Sequence, residues 1–272
     1  MGISPTELPN RSLAPAATGI AGGVALVTGA GTGIGRATCQ SLSEAGAKTY
    51  GIVQTEADIP TDGVCASGRL MWLVADVRDR NALQEAFKEI QRQSGRVDFV
   101  VSNAGVARHG PISEISPADI DVVVGTNLIG FFNLMALAVP ALRRSGGGAV
   151  VAISSVHAVA TSQLASVYAA TKAGLVAAVR AMALDHAPDS IRVNAVLPGS
   201  VDTPMLRASA NLRSPQDPEG AIRQWGAAHP IGRVLSPAEI ADAIVFLLSP
   251  AASGITGAAL AVYGGLTAKL AL

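Results

Sequence analysis

In the segment SVYAATKAG, Ser166 to Gly174, a tyrosine and a lysine stand four residues apart. On a helix, positions i and i+4 share a face, so Tyr168 and Lys172 point the same way. A phenol with a pKa of about 10 is a poor base at neutral pH, and lowering it by about three units takes about 4 kcal/mol. A neighbouring ammonium supplies part of that. Such a pair can pass a proton to or from a substrate oxygen. The competing reading is a packed tyrosine beside a lysine that snorkels to solvent, and the rest of the chain must decide between them.

Thirteen residues upstream, Ser155 closes the apolar run AVVAIS. In a parallel α/β sheet, ligands bind outside the carboxyl ends of the strands, which would bring Ser155 and the start of the Tyr168 helix to one crevice. Near the N-terminus the run VALVT leads into TGAGTGIG, Thr28 to Gly35, and then into a helical pattern. Glycines in that order let the backbone turn tightly and bring its N–H groups and the positive helix end against a pyrophosphate. No Gly-Lys-Ser/Thr follows, so the segment is not a P-loop.

The elements around these residues alternate. The runs Val24–Thr28, Tyr50–Val53, Leu70–Ala75, Val97–Ser102, Ala149–Ser154 and Ile191–Val196 read as strands. Between and after them, helices are expected over Ile34–Ala45, Arg80–Ser94, Pro117–Arg143, Ser166–Ala187 and Pro237–Leu248. Continuous apolar strands are buried on both faces, so the sheet is expected to be parallel with helices covering both sides. The pairs Ser116-Pro117 and Ser236-Pro237 provide a side-chain cap followed by proline at the first helical position. Residues 1–18 read as a loose tail and 19–272 as one domain.

Composition narrows the partners. Lysine plus arginine equals aspartate plus glutamate, 20 against 20, in a chain of 272 residues. No long-range field recruits nucleic acid or an anionic membrane, which leaves a small molecule. Cys39, Cys65 and four histidines form no metal-binding pattern, and no signal-like segment opens the chain, so a cytoplasmic location is expected. The uncharged run from Val122 to Leu142 is long enough to span a bilayer. Its Thr126, Asn127, Asn133 and Pro140, and its place between strands, point instead to a helix buried in a core or at a subunit contact.

TGAGTGIG, SNAG at Ser102 to Gly105, Asn127, Ser155, YAATK and LPGSVDTPM from Leu197 to Met205 together resemble a single-domain short-chain dehydrogenase/reductase. The resemblance spans nearly everything past residue 19. It implies a Rossmann-type, doubly wound, seven-stranded parallel sheet and hydride transfer between a nicotinamide cofactor and a carbonyl or secondary alcohol. By the same resemblance Tyr168 is the general acid/base. Lys172 lowers its pKa and holds the nicotinamide ribose, Ser155 donates to the substrate oxygen, and Asn127 holds a water on a proton path.

Cofactor contacts implied by the resemblance fall on Gly29, Thr32, Gly33, Ile34, Gly35, Gln54, Asp76, Val77, Asn103, Ala104, Gly105, Pro198, Gly199 and Thr203, besides Tyr168 and Lys172. His157, Gln163 and Met205 are expected to line the substrate pocket with Ser155 and Tyr168, and His109 is a further candidate. The irregular stretch 200–235, with Met205, Leu206 and Trp225, suggests an apolar substrate. Two positions depart from the family pattern. Val53-Gln54 replaces the usual acidic or basic residue after the second strand, and the absence of a nearby cation favours NAD(H) over NADP(H). Tyr263 stands where aspartate commonly precedes the final glycines. Ala169, Ala173, Ala177 and Ala181 make a smooth strip suited to a homodimer or homotetramer contact. A nucleotide-sensing or scaffolding protein without turnover, and a methyltransferase with a related glycine loop, remain the alternatives.

Overall fold

The protein is described from a computed structural model covering residues 19–61 and 68–268. The expected tail and Cys65 lie outside the described residues. Seven strands form one parallel sheet in the order β3-β2-β1-β4-β5-β6-β7. In chain order they are β1 (Val24–Thr28), β2 (Lys48–Val53), β3 (Leu70–Val74), β4 (Phe99–Ser102), β5 (Gly148–Ile153), β6 (Ile191–Pro198) and β7 (Ala259–Val262). The helices are α1 (Gly33–Glu44), α2 (Arg80–Ser94), α3 (Pro117–Val124), α4 (Gly130–Arg144), α5 (Ser166–His186), α6 (Pro204–Arg213), α7 (Pro218–Ala228) and α8 (Pro237–Leu248).

Every residue of β1 and β4 is buried, because helices cover both faces of the sheet. On one side Leu26, Ile52, Val100 and Val150 pack under Leu83, Leu134, Leu142, Leu175 and Val179. On the other, Val27, Val101 and Val151 pack under Leu42, Ile240, Ile244 and Leu248. Fully burying one such side chain contributes about 1.5–3 kcal/mol before entropy is subtracted. The apolar run suspected of spanning a membrane is therefore a core element, with Phe131, Leu134, Met135, Ala138 and Leu142 turned inward.

β1 pairs with β2 on one side and β4 on the other, so the chain reverses direction across the sheet at the β1–β4 boundary. That reversal opens a crevice at the strands' carboxyl ends. The rod expected over Pro117–Arg143 is interrupted by one wide π turn, Gly125–Ile129, which carries Asn127. Gly130 follows it, and any side chain there would meet Val77 at 2.7 Å. Two helices in the stretch that read as irregular, α6 and α7, begin at Thr203-Pro204 and Asp217-Pro218. Both repeat the cap-proline signature that marks α3 and α8.

Candidate active site

The glycine turn is built for close backbone approach. Gly29 adopts φ 61°, and a Cβ there would lie 2.8 Å from the Ala104 Cα. A Cβ at Gly35 would collide with the Gly29 carbonyl. The turn is tied to the end of β4 by Asn103, whose Nδ2 donates to the carbonyls of Thr28 (3.1 Å) and Gly29 (2.9 Å). The Thr28 hydroxyl in turn accepts from the backbone N–H groups of Asn103 and Ala104. Thr32 precedes α1 without a side-chain cap, so the first N–H groups of that helix remain available to an anion.

Across the crevice, Ser154 and Ser155 follow directly on the end of β5. The Ser155 side chain is buried and stands beside Tyr168, where it favours the ionised phenol. Its Oγ also accepts from the His157 N–H at 3.2 Å. Lys172 is buried and reaches back over the end of β5, with Nζ donating to the Ile153 carbonyl at 2.8 Å and standing 5.6 Å from the centre of the Tyr168 ring. The Ser154 hydroxyl fixes the same turn of α5 by donating to the Lys172 carbonyl at 2.7 Å.

Burial governs both titrating groups. It pushes the Tyr168 phenol above its ordinary value of 10.0, the Ser155 hydrogen bond pulling the other way. It pushes Lys172 down to about 8. The expectation that the ammonium lowers the phenol pKa is thus corrected for the free protein. At 5.6 Å the ammonium faces the ring and is bonded to a carbonyl, and loss of water outweighs it.

Asn127 sits behind Lys172. Its Oδ1 accepts from the Val106 N–H (2.8 Å), and its Nδ2 donates to the Val106 carbonyl (2.9 Å) and the Thr171 hydroxyl (3.1 Å). One amide therefore clamps the loop after β4 to the helix that bears Tyr168 and Lys172. The carboxyl end of β6 completes the wall: Pro198, Gly199 and Thr203 line the cleft. Gly199 must lack a side chain, since a Cβ would lie 2.8 Å from His229 Nε2 and 3.0 Å from the Tyr263 Cα.

A single cavity of about 540 Å³ joins the glycine turn, Gln54, Asn103 to Gly105, Ser155, Tyr168 and Lys172. Among the described residues no group of histidine, cysteine and acidic side chains could hold a metal ion.

Comparison with known proteins gives the same family. The model for enoyl-(acyl carrier protein) reductases matches residues 29–267. The chain belongs to the short-chain dehydrogenase/reductase family. It is similar to cis-4-hydroxycyclohexanecarboxylate dehydrogenase of Sinomonas cyclohexanicum, with 38% identity over 248 residues, covering 90% of this chain and 96% of that one. It is also similar to oxidoreductase UcpA of Escherichia coli K12, 34% identical over 251 residues, covering 91% and 95%. Among solved structures, levodione reductase superposes with a TM-score of 0.87 at 31% identity, covering 92% of this chain and 99% of that one.

In this dehydrogenase/reductase most of the residues expected from sequence meet at the cleft. Gly29, Thr32, Gly33, Ile34, Gln54, His157 and Met205 all line it. Gly35 lies under the turn, and Val77 belongs to the core. Asp76 stands one layer out, accepting from Gln54 Nε2 at 3.0 Å and pairing with Arg78 at 2.6 Å. Gln163 is not a lining residue, and its neighbour Ser162 is. Sequence reasoning missed Ser209, Arg213 and His229. The first two follow Met205 at four-residue steps, the spacing of one helix face, once α6 is recognised. His229 is buried, its Nδ1 against the Trp225 carbonyl and its Nε2 accepting from the Ser200 N–H, so it pins the end of β6.

Proposed function

We propose that Tyr168 is the general acid/base, Ser155 the donor to the substrate oxygen and Lys172 the group that holds the cofactor ribose, in an oxidoreductase of carbonyl or secondary-alcohol substrates. Hydride transfer with a nicotinamide cofactor is the reaction of the family. The observation that carries the residue roles is the convergence of Ser155, Tyr168 and Lys172 on the cavity that begins at the glycine turn. The turn fits a dinucleotide: side chains at Gly29 and Gly35 would block its backbone, and the start of α1 offers uncapped N–H groups. When bound there, the nicotinamide supplies or accepts the hydride.

The protein's own part is the proton. A phenol held above its ordinary pKa stays protonated at neutral pH and can donate from its hydroxyl to a carbonyl oxygen. Ser155, beside that hydroxyl, supports the developing negative charge on the same oxygen. Asn127 holds Val106 and Thr171, which keeps the Lys172 turn in register with the cleft. A water relay beginning at that point is the role its family position supports.

A preference for NAD(H) is supported by charge at the adenosine end. Among the described residues Asp58 is the one acidic side chain lining the cleft, close to Val53 and Gln54, and would repel a 2′-phosphate. Arg78, nearby, is already committed to Asp76. A homodimer or homotetramer is supported by the outer surface of α5 and α4, where Ala173, Ala177, Ala181 and Leu184 are exposed together with Phe132.

Titration of the purified protein with NADH and NADPH, followed by a panel of ketones, tests this reading. Binding of NADH in the micromolar range and its oxidation by a ketone are expected. Failure to bind either nucleotide below about 1 mM rejects it.

A further inference from the structure

We infer that Arg213, the last residue of α6, anchors a carboxylate on the substrate, so that the enzyme takes oxo acids or hydroxy acids with an apolar body between the reacting carbon and the acid group. The inference rests on the dehydrogenase/reductase reading of the cleft and adds the class of substrate to it.

Met205, Ser209 and Arg213 stand at four-residue intervals, and all three line the same cavity as Tyr168 and Ser155. The end of α6 is held over that cavity by its neighbours. Ser209 Oγ lies 3.4 Å from His109 Nε2, and an Arg213 guanidinium nitrogen lies 3.4 Å from the Gln163 carbonyl. His157 lines the same cavity, its ring edge-on to Tyr168 at 5.6 Å between centroids. The cavity wall thus includes the phenol, His157 and the Arg213 guanidinium.

That guanidinium is placed differently from the other arginines around it. Arg207 is paired with Asp202 and Glu219, Arg233 with Glu239, and Arg223 stands 3.7 Å from Asp217. Among the described residues no carboxylate stands within ion-pair distance of Arg213, and its guanidinium makes one long contact, to the Gln163 carbonyl. The acidic side chain that lines the cavity, Asp58, belongs to the glycine-turn end. An arginine's planar fork suits a carboxylate in two parallel hydrogen bonds.

The charge count selects a monoanion. Burial lowers the pKa of both His109 and His157, with Arg213 adding to the effect, so at neutral pH both imidazoles are uncharged. One positive charge remains at this end. It balances one carboxylate and leaves a phosphate dianion half compensated. Met205, Leu206 and Trp225 supply the apolar lining for the body between.

The test pairs each of several cyclic and linear ketones bearing a carboxylate with its methyl ester, assayed with saturating nicotinamide cofactor on the wild type and on Arg213→Gln and Arg213→Lys. The wild type is expected to prefer the acid in kcat/KM by about tenfold or more. Arg213→Gln is expected to lose about 10- to 100-fold on the acid and no more than about twofold on the ester, with Arg213→Lys between them. Calorimetry on the cofactor-loaded protein should show cyclohexanecarboxylate binding the wild type and losing affinity in Arg213→Gln, while the carboxamide is indifferent to the substitution. Equal use of acid and ester by the wild type, or equal loss on both in the variant, overturns the inference and leaves the dehydrogenase reading standing. Absence of turnover with every ketone, charged or neutral, removes the reading beneath it and the inference with it.

Discussion

Lys172 Nζ lies 5.6 Å from the centre of the Tyr168 ring and donates its hydrogen bond to the Ile153 carbonyl. The two side chains share a helix face, yet each is influenced most by its own loss of water. A lysine at about 8 when folded and near 10.5 when unfolded costs the free protein stability at neutral pH. Below pH 8 both states are protonated, and the cost is constant. Between about 8 and 10.5 the unfolded chain holds the extra proton, so this cost fades as pH rises. Lys172→Met removes the titration. Chemical denaturation without cofactor should therefore show wild type gaining about 2 kcal/mol relative to the variant between pH 7 and pH 10. A pH-independent gap would mean that Lys172 titrates normally.

Tyr168→Phe keeps the ring against His157 and removes the proton. The variant should bind NADH as wild type does and lose about 10²- to 10⁴-fold in kcat. Rates within tenfold of wild type on the identified substrate would assign the proton to another group.

Asn127→Ala leaves the half-buried Val106 N–H and carbonyl without their side-chain partner. Each unsatisfied group costs about 1–3 kcal/mol. Thermal unfolding should move down by several degrees, and kcat should fall because the Lys172 turn is no longer tied to the β4 loop. A variant with unchanged melting temperature would show that the clamp contributes little.

Gly35→Ala sets a methyl group against the Gly29 carbonyl and Asn103 Nδ2. The backbone itself must shift, so nucleotide affinity should drop by at least about tenfold while the sheet remains folded by circular dichroism. Unchanged affinity would remove the turn from the nucleotide site.

Much of this protein can be read from residue order. Strands with continuous apolar runs predict their own double-sided burial, and the cap-proline pairs mark helix starts to the residue at Ser116 and Ser236. The same signature at Thr203 and Asp217 announces α6 and α7, but these are short helices of 10 and 11 residues in a stretch rich in polar side chains. The seventh strand, four residues long and only partly buried, carries too weak a pattern to stand out alone.

Local chemistry along the chain determined that Tyr168 and Lys172 share a face, that a glycine turn follows the first strand, and that Ser155 lies just past the end of another. Spacing is enough for these because helix and strand periods are short-range properties. Tertiary structure alone decided the direction of the phenol pKa, since desolvation depends on what packs around a group. It also decided that Asn127 clamps Val106 and that Arg213 faces the substrate end of the cleft. Those partners lie 21 and more residues away in sequence, and only the folding of α6 over the strand ends brings a distant guanidinium to the pocket.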